Sequence, residues 1–152
     1  MAKYAITGTQ QSVSGTYKTV LAVAATSGSL RRGKIYDVLI GTNGTPADNY
    51  LQWDISRITL LGSGTAVTPV ALDPADAAAL GTAQNNCTSE PTVTPNSSLF
   101  NVGVNQRASY RWVAAPGSEL LFPATANNGL ALRTLSGGYT GSATGDFMYE
   151  EQ

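Results

Sequence analysis

The chain has 152 residues, a length that suits one domain with a real core. Only 12% of its residues are charged, well below the roughly 25% of an average globular protein, and the net charge is −1. That balance lacks the basic excess that phosphate neutralisation needs, so it argues against nucleic acid as a partner; the absence of histidine removes the commonest general base and metal ligand, and no apolar run is long enough for a signal peptide or a membrane span.

In chain order, strand signals dominate. Tyr4 and Ile6 alternate with small or polar residues, residues 19–26 form the small apolar run TVLAVAAT, and residues 34–40 read KIYDVLI between two glycines. Leu51, Trp53 and Ile55 alternate with Gln52, Asp54 and Ser56, after which Ile58 and Leu60 fall on the opposite parity, so a bulge near Ser56 and Arg57 is expected to return them inward. Residues 67–72 give another short strand. A brief helix is predicted over residues 73–80, with Asp73 as N-cap, Pro74 at the first helical position and Gly81 as its stop. Residues 81–98 read as a long polar connection. Alternation resumes over residues 107–114, and residues 120–122, 130–133 and 147–149 complete the set.

About eight short strands separated by Gly, Pro and Asn turns predict an all-β sandwich or barrel in one domain, residues 1–152. A jelly roll accounts for the pattern best, and an immunoglobulin-like sandwich is the alternative. Residues 1–33, rich in small side chains, suit an extended N-terminal arm. The expected core comprises Ile35, Leu39, Leu51, Trp53, Ile55, Tyr110, Trp112, Leu121, Leu130 and Phe147.

Residues able to do chemistry are sparse. Asp48, Asp54, Asp73, Asp76 and Asp146 are candidate acid–base carboxylates, but each has an ordinary role in a turn, cap or surface. Asp37 interrupts an apolar strand, so it either faces outward or is ion-paired, with Arg57, Arg107 and Arg111 as partners in view. Trp53, Tyr110 and Trp112 suit either a core or a sugar-stacking platform. Alternation puts Arg107, Ser109 and Arg111 on one strand face, where the arginines suit an interface with carboxylates such as Glu150 and Glu151 or plain solvation. The basic turn Arg31, Arg32 and Lys34 suits solvent or an interface pairing. Cys87 stands in a polar stretch with no neighbouring cation and reads as an unreactive loop thiol. Gly62-Ser63-Gly64 and Gly137-Gly138 read as tight turns, because neither precedes the lysine and helix of a phosphate cradle.

The segment VNQRASYRWVAAPGSELLFPATANNGL, which begins at Val104, packs an aromatic strand, a Pro-Gly turn, an apolar strand and an Asn-Asn-Gly turn together. With IYDVLIGTNGTPADN around Asp37, LQWDISRITLLGSGTAVTP around Trp53 and Arg57, LDPADAAAL at Asp73, and Glu90-Pro91, it resembles the decoration (cement) proteins on the heads of tailed bacteriophages. The resemblance spans most of the chain. It implies a jelly roll and a structural, non-enzymatic virion protein, made in the host cytoplasm and bound to the outer capsid surface. Its partners would be the major capsid protein and itself, as a homo-oligomer, a trimer first and a dimer second. Membrane and nucleic acid are not expected partners, and no cofactor or metal is expected. Arg31, Arg32, Arg107, Arg111, Glu150 and Glu151 are the interface candidates. The alternative is a jelly-roll glycan-binding or host-attachment module, for which Tyr50 and Tyr139 are the loop aromatics on offer.

Overall fold

The computed structural model describes residues 1–136, 139 and 141–152. Its strands are β1 (Lys3–Gln10), β2 (Lys18–Ala24), β3 (Gly33–Gly44), β4 (Tyr50–Leu60), β5 (Ser63–Val67), β6 (Val70–Ala71), β7 (Thr82–Ser89), β8 (Thr92–Asn105), β9 (Tyr110–Val113), β10 (Leu120–Phe122), β11 (Gly129–Leu135) and β12 (Gly141–Glu151). They form two antiparallel sheets. The first runs β10-β3-β12-β1-β6, with β9 on the same edge of β3 as β10, and the second runs β5-β7-β2-β11-β4-β8. The inner faces meet in a core that includes Ile6, Leu21, Ile35, Trp53, Ile55, Phe122, Leu132, Phe147 and Tyr149, all buried.

The all-β reading holds, and the expected helix does not form. Asp73 caps one turn only, through its Oδ1 to the Ala75 amide (2.9 Å) and its carbonyl to the Asp76 amide (3.0 Å). Beyond it the backbone is claimed by other strands. The Tyr4 hydroxyl donates to the Ala77 carbonyl (3.0 Å), and the Glu151 carboxylate accepts the Leu80 and Gly81 amides (2.9 and 2.8 Å). An eight-residue helix is too short to hold itself against such partners.

Residues 1–33 are not an arm. They supply β1 to the middle of one sheet, between β12 and β6, and β2 to the middle of the other, between β11 and β7. The polar stretch 81–98 is not a loop either, for it forms β7 and much of β8. Residues 67–72 split across Pro69, ending β5 and forming the two-residue β6. The Gly137-Gly138 turn lies outside the described residues.

Two faces differ from expectation. Along β3 the pairing with β12 shifts between Met148 and Tyr149, opposite Asp37 and Ile35, so Tyr36 is an extra residue and the parity flips. Ile35, Val38 and Ile40 therefore point inward, while Leu39 is 42% exposed. Along β4 the register with β11 is unbroken, so Ile58 stays outward. It is nonetheless buried, because Leu61 and Val93 cover it together with Ala22, Ala24 and Ala131 on the outer face of this sheet. The predicted bulge appears only against β8. Of the remaining expected core, Leu51, Trp53, Ile55, Leu130 and Phe147 are buried, Trp112 and Leu121 are half-buried, and Tyr110 is 39% exposed.

Trp53 and Trp112 thus make a clean comparison. Trp53→Ala should cost about 3–5 kcal/mol of stability, the range for a fully buried large side chain. Trp112→Ala should cost clearly less, and equal losses in denaturant titrations would contradict the two placements.

Candidate interaction surface

The charged side chains that bear on function include some locked inside, some paired on the outer face of the first sheet, and some with no ion-pair partner among the described residues. Asp54 heads the set locked inside. Its carboxylate, 2% exposed, accepts from Arg133 Nη2 (2.6 Å) and Nε (3.1 Å), from Ser56 Oγ (2.6 Å) and from Ser98 Oγ (2.5 Å), tying β4 to β11 and β8. The Tyr17 ring caps the Arg133 guanidinium at 4.6 Å. Burial alone would raise the Asp54 carboxyl, but the hydrogen bonds from Ser56, Ser98 and Arg133, with the arginine's charge, hold it below its ordinary value. Asp54 therefore has a structural partner set and is not free for acid–base work.

Glu151, expected at an interface, is buried instead. Besides the two amides it binds, its Oε1 accepts from the Tyr149 hydroxyl (3.1 Å), and burial, together with this carboxylate, pushes that hydroxyl's pKa up. Glu150 pairs with Lys34 (3.4 Å). Among the described residues of the chain, neither glutamate meets Arg107 or Arg111.

Arg111, on β9, forks onto Asp37 of β3, with Nε at 3.0 and 3.2 Å and Nη2 at 2.5 Å from the carboxylate oxygens. The bulge at Tyr36 is what puts Asp37 on the outer face beside β9. Asp37 is 5% exposed, whereas the Arg111 side chain remains 61% exposed. Arg107 is not on a strand. It sits in the turn before β9, where the Ala108 amide reaches the Asn105 carbonyl, and it pairs with Asp48 (3.1 Å) at a solvated site. Such an exposed pair adds little stability.

These residues border a trough on the outer face of the first sheet. One part, about 340 Å³, lies between the Gln106–Ser109 turn, β3 and β12. The next part, about 360 Å³, is floored by Leu39 and Met148 and edged by Asp37, Arg111 and Asp146. Asp146 lies between Thr7 and Leu39 across the sheet, and burial raises its carboxyl. Arg107 and Arg111 thus share this region although they do not share a strand face.

Arg31 and Arg32 stand elsewhere, exposed beside the chain's last residue, with the Arg32 and Gln152 backbones exchanging hydrogen bonds (3.2 and 2.8 Å). Among the described residues neither guanidinium has an ion-pair partner. Arg32 and Arg57 border an open cleft of about 460 Å³ along residues 121–124, where Arg57 Nη1 donates to the Leu121 carbonyl (2.7 Å).

The aromatic candidates separate. Trp53 is core. Tyr139 is buried, with its hydroxyl on the Asn43 carbonyl, and is no loop platform. Tyr50 is 51% exposed, and Tyr110 and Trp112 flank Phe100 at ring distances of 6.1 and 6.3 Å. This cluster bridges the β8 and β9 edges of the two sheets, and sequence reasoning missed it because residues 81–98 read as a polar connection and no strand was read around Phe100. Cys87 is buried within β7 rather than in a loop, and burial, with Glu90 nearby, pushes its thiol up to about 11. Among the described residues no three Cys, Asp or Glu side chains group closely enough to hold a metal.

Two outcomes follow. The Cys87 thiol should resist alkylation at pH 8 in the folded protein and react once unfolded; rapid native-state labelling would contradict its placement. The folded-state pKa of Asp54 is lowered, so its contribution to stability is present above the ordinary aspartate value and is lost as pH falls through the folded value. Asp54→Asn should therefore melt well below wild type at neutral pH, with the gap closing as pH drops below about 4. A gap that is constant with pH would show that the charge does not matter.

Comparison of the chain with protein-family models, with curated proteins and with solved structures finds no significant match.

Proposed function

We propose that this chain is a structural virion protein that decorates the outer surface of a phage capsid and stabilises contacts between major capsid subunits. The observation that carries the reading is strand order. With β9 and β10 taken as one interrupted strand, the strands β1, β2, β3, β4, β8, β9/β10, β11 and β12 alternate between the sheets in chain order except at the middle step, where β4 and β8 are neighbours in the second sheet. Their neighbours read β1-β12-β3-β9/β10 in one sheet and β2-β11-β4-β8 in the other. That order supports reading the sandwich as an eight-stranded jelly roll, an architecture used by viral capsid and lectin domains. On this reading β5, β6 and β7 are an insertion between the fourth and fifth strands, extending both sheets beyond β1 and β2.

The sequence resemblance points the same way, and the chemistry supports it. The carboxylates that sequence offered for catalysis are engaged as structural ion pairs, caps or turn residues, or stand apart, as Asp146 does. What the surface offers is area, a trough with an apolar floor and Arg31 and Arg32, which have no ion-pair partner among the described residues. A protein that binds the assembled lattice and not dispersed subunits shifts the equilibrium toward assembly, and many copies multiply a modest energy per copy. The working unit in this reading is a homo-oligomer.

Exposed Tyr50 and Tyr110 favour a second reading, a glycan-binding or host-attachment module. Sedimentation of the purified protein with undecorated heads, beside a glycan array, separates the two. Co-sedimentation without glycan binding is the expected result. Binding to glycans with no affinity for heads would replace the decoration reading with the second one.

A further inference from the structure

Most sheet edges in this sandwich are blunted against pairing with another chain. β5 has five residues and a register shift between Ser63 and Thr65, and β6 has two residues. The β9/β10 edge is broken by the Pro116-Gly117 turn and carries the charged residues Arg111 and Glu119. Short strands, irregular pairing, proline and charge are the devices by which natural sheets avoid sticking edge to edge.

β8 is different. It ends its sheet, and among the described residues no strand pairs with its other edge. From Phe100 to Asn105 its register with β4 is unbroken, running from Ile55↔Phe100 to Tyr50↔Asn105. No charged residue occurs from Pro91 to Gln106, and no proline follows Pro95 in this strand. Phe100, Val102 and Val104 face the core side but are only partly buried. They sit at the β8 and β9 edges of the two sheets, where Tyr110 remains 39% exposed beside Phe100. An unpaired backbone and an incompletely covered apolar row therefore coincide on one edge.

We propose that this edge pairs with β8 of a second copy of the chain, antiparallel about a two-fold axis, so that the two second sheets join into one. The occupant must be an uncharged strand with apolar residues at alternate positions, and β8 is itself such a strand. An axis passing beside Val102 or Gly103 keeps the apolar rows on a common face, since an antiparallel pairing that matches residues of like parity matches faces. A two-fold contact is self-complementary, each patch meeting its own copy, and a net charge of −1 opposes it little. The pairing does not depend on the capsid reading, and it selects a dimer over a trimer.

The test is sedimentation velocity of the purified chain over a concentration series, with amide hydrogen exchange at its two ends. Gly103→Lys is the informative variant. A Cβ at Gly103 meets only Gln52 Oε1, at 3.5 Å, so the side chain fits the folded chain while placing like charges beside the axis. Gly28→Lys, where a Cβ meets nothing within 4 Å, is the matched control. Wild type and Gly28→Lys should dimerise, and Gly103→Lys should stay monomeric at the same concentrations, with a melting temperature that matches wild type at dilutions where both are monomers. In wild type, protection of the amides in residues 100–105 should rise with concentration. A wild-type monomer throughout, a trimer, a Gly103→Lys dimer as tight as wild type, or concentration-independent protection in 100–105 would each overturn the proposal, the first pointing to a strand from a different protein as the occupant.

Discussion

Carboxylates turned into the fold are the constraint on which the rest of this molecule depends. Asp54 joins β4, β8 and β11, Asp37 joins β3 and β9, and Glu151 joins the end of β12 to the segment that enters β7. Glu90, after β7, holds the Thr19 amide and hydroxyl at the start of β2 (2.9 and 2.6 Å). A buried carboxylate without partners is strongly destabilising, so Asp54, Asp37 and Glu151 dictate the positions of their donors and hence which strands meet, while Glu90, with its side chain 32% exposed, adds a more solvated tie. The consequence reaches the surface. With ten acidic residues in the chain and several of them spent internally, long stretches of exterior, β8 among them, carry no charge at all.

Sheet-to-sheet contact is set by a second, apolar constraint. Gly8 of β1 and Gly145 of β12 are cross-strand partners on the inner face. A Cβ at Gly145 would lie 2.3 Å from Leu132 Cδ2, and one at Gly8 would lie 2.8 Å from the Val20 carbonyl oxygen. The pair is a hollow into which the second sheet fits, with the large side chains of Phe147 and Tyr149 filling the space beside it. Gln10 closes the same end, its amide donating to the Thr19 and Cys87 carbonyls of the opposite sheet (2.9 and 3.1 Å). The glycines let the sheets approach closely at this end, whereas Phe100, Val102, Val104 and Trp112 along the β8 and β9 edges are only partly buried.

Sequence patterning was informative where apolar residues alternate with polar ones, even where, as on β4, the polar face is buried too. Leu51, Trp53 and Ile55 are legible for that reason; the Asn-Asn-Gly turn, with Asn127 at φ 63°, and the ion pair of Asp37 with an arginine are legible from residue type. It failed where tertiary partners overrode local signals. Residues 73–80 have a helix's cap and composition, but Tyr4 and Glu151 take their backbone groups. β7 and the first half of β8 alternate polar with polar or small residues, so period-two hydrophobicity is faint there, and residues 81–98 were read as a connection. Leu39 was misplaced by one bulge residue, and Ile58 by a second apolar layer outside the sheet. Of the surface candidates, Arg31, Arg32, Arg107 and Arg111 are indeed exposed, whereas the inward turn of Glu151 depends on long-range geometry that no local window contains.

A chain whose charges are spent on its own fold should associate through shape and backbone rather than through ion pairs. Screening by salt acts mainly on exposed charges, so it distinguishes the two modes. The most direct measurement is the self-association constant of the purified chain, obtained by sedimentation equilibrium at low and at physiological salt. The account predicts a change of less than about threefold between the two conditions. A steep loss of association with added salt would contradict it, because the exposed arginines would then be holding the copies together.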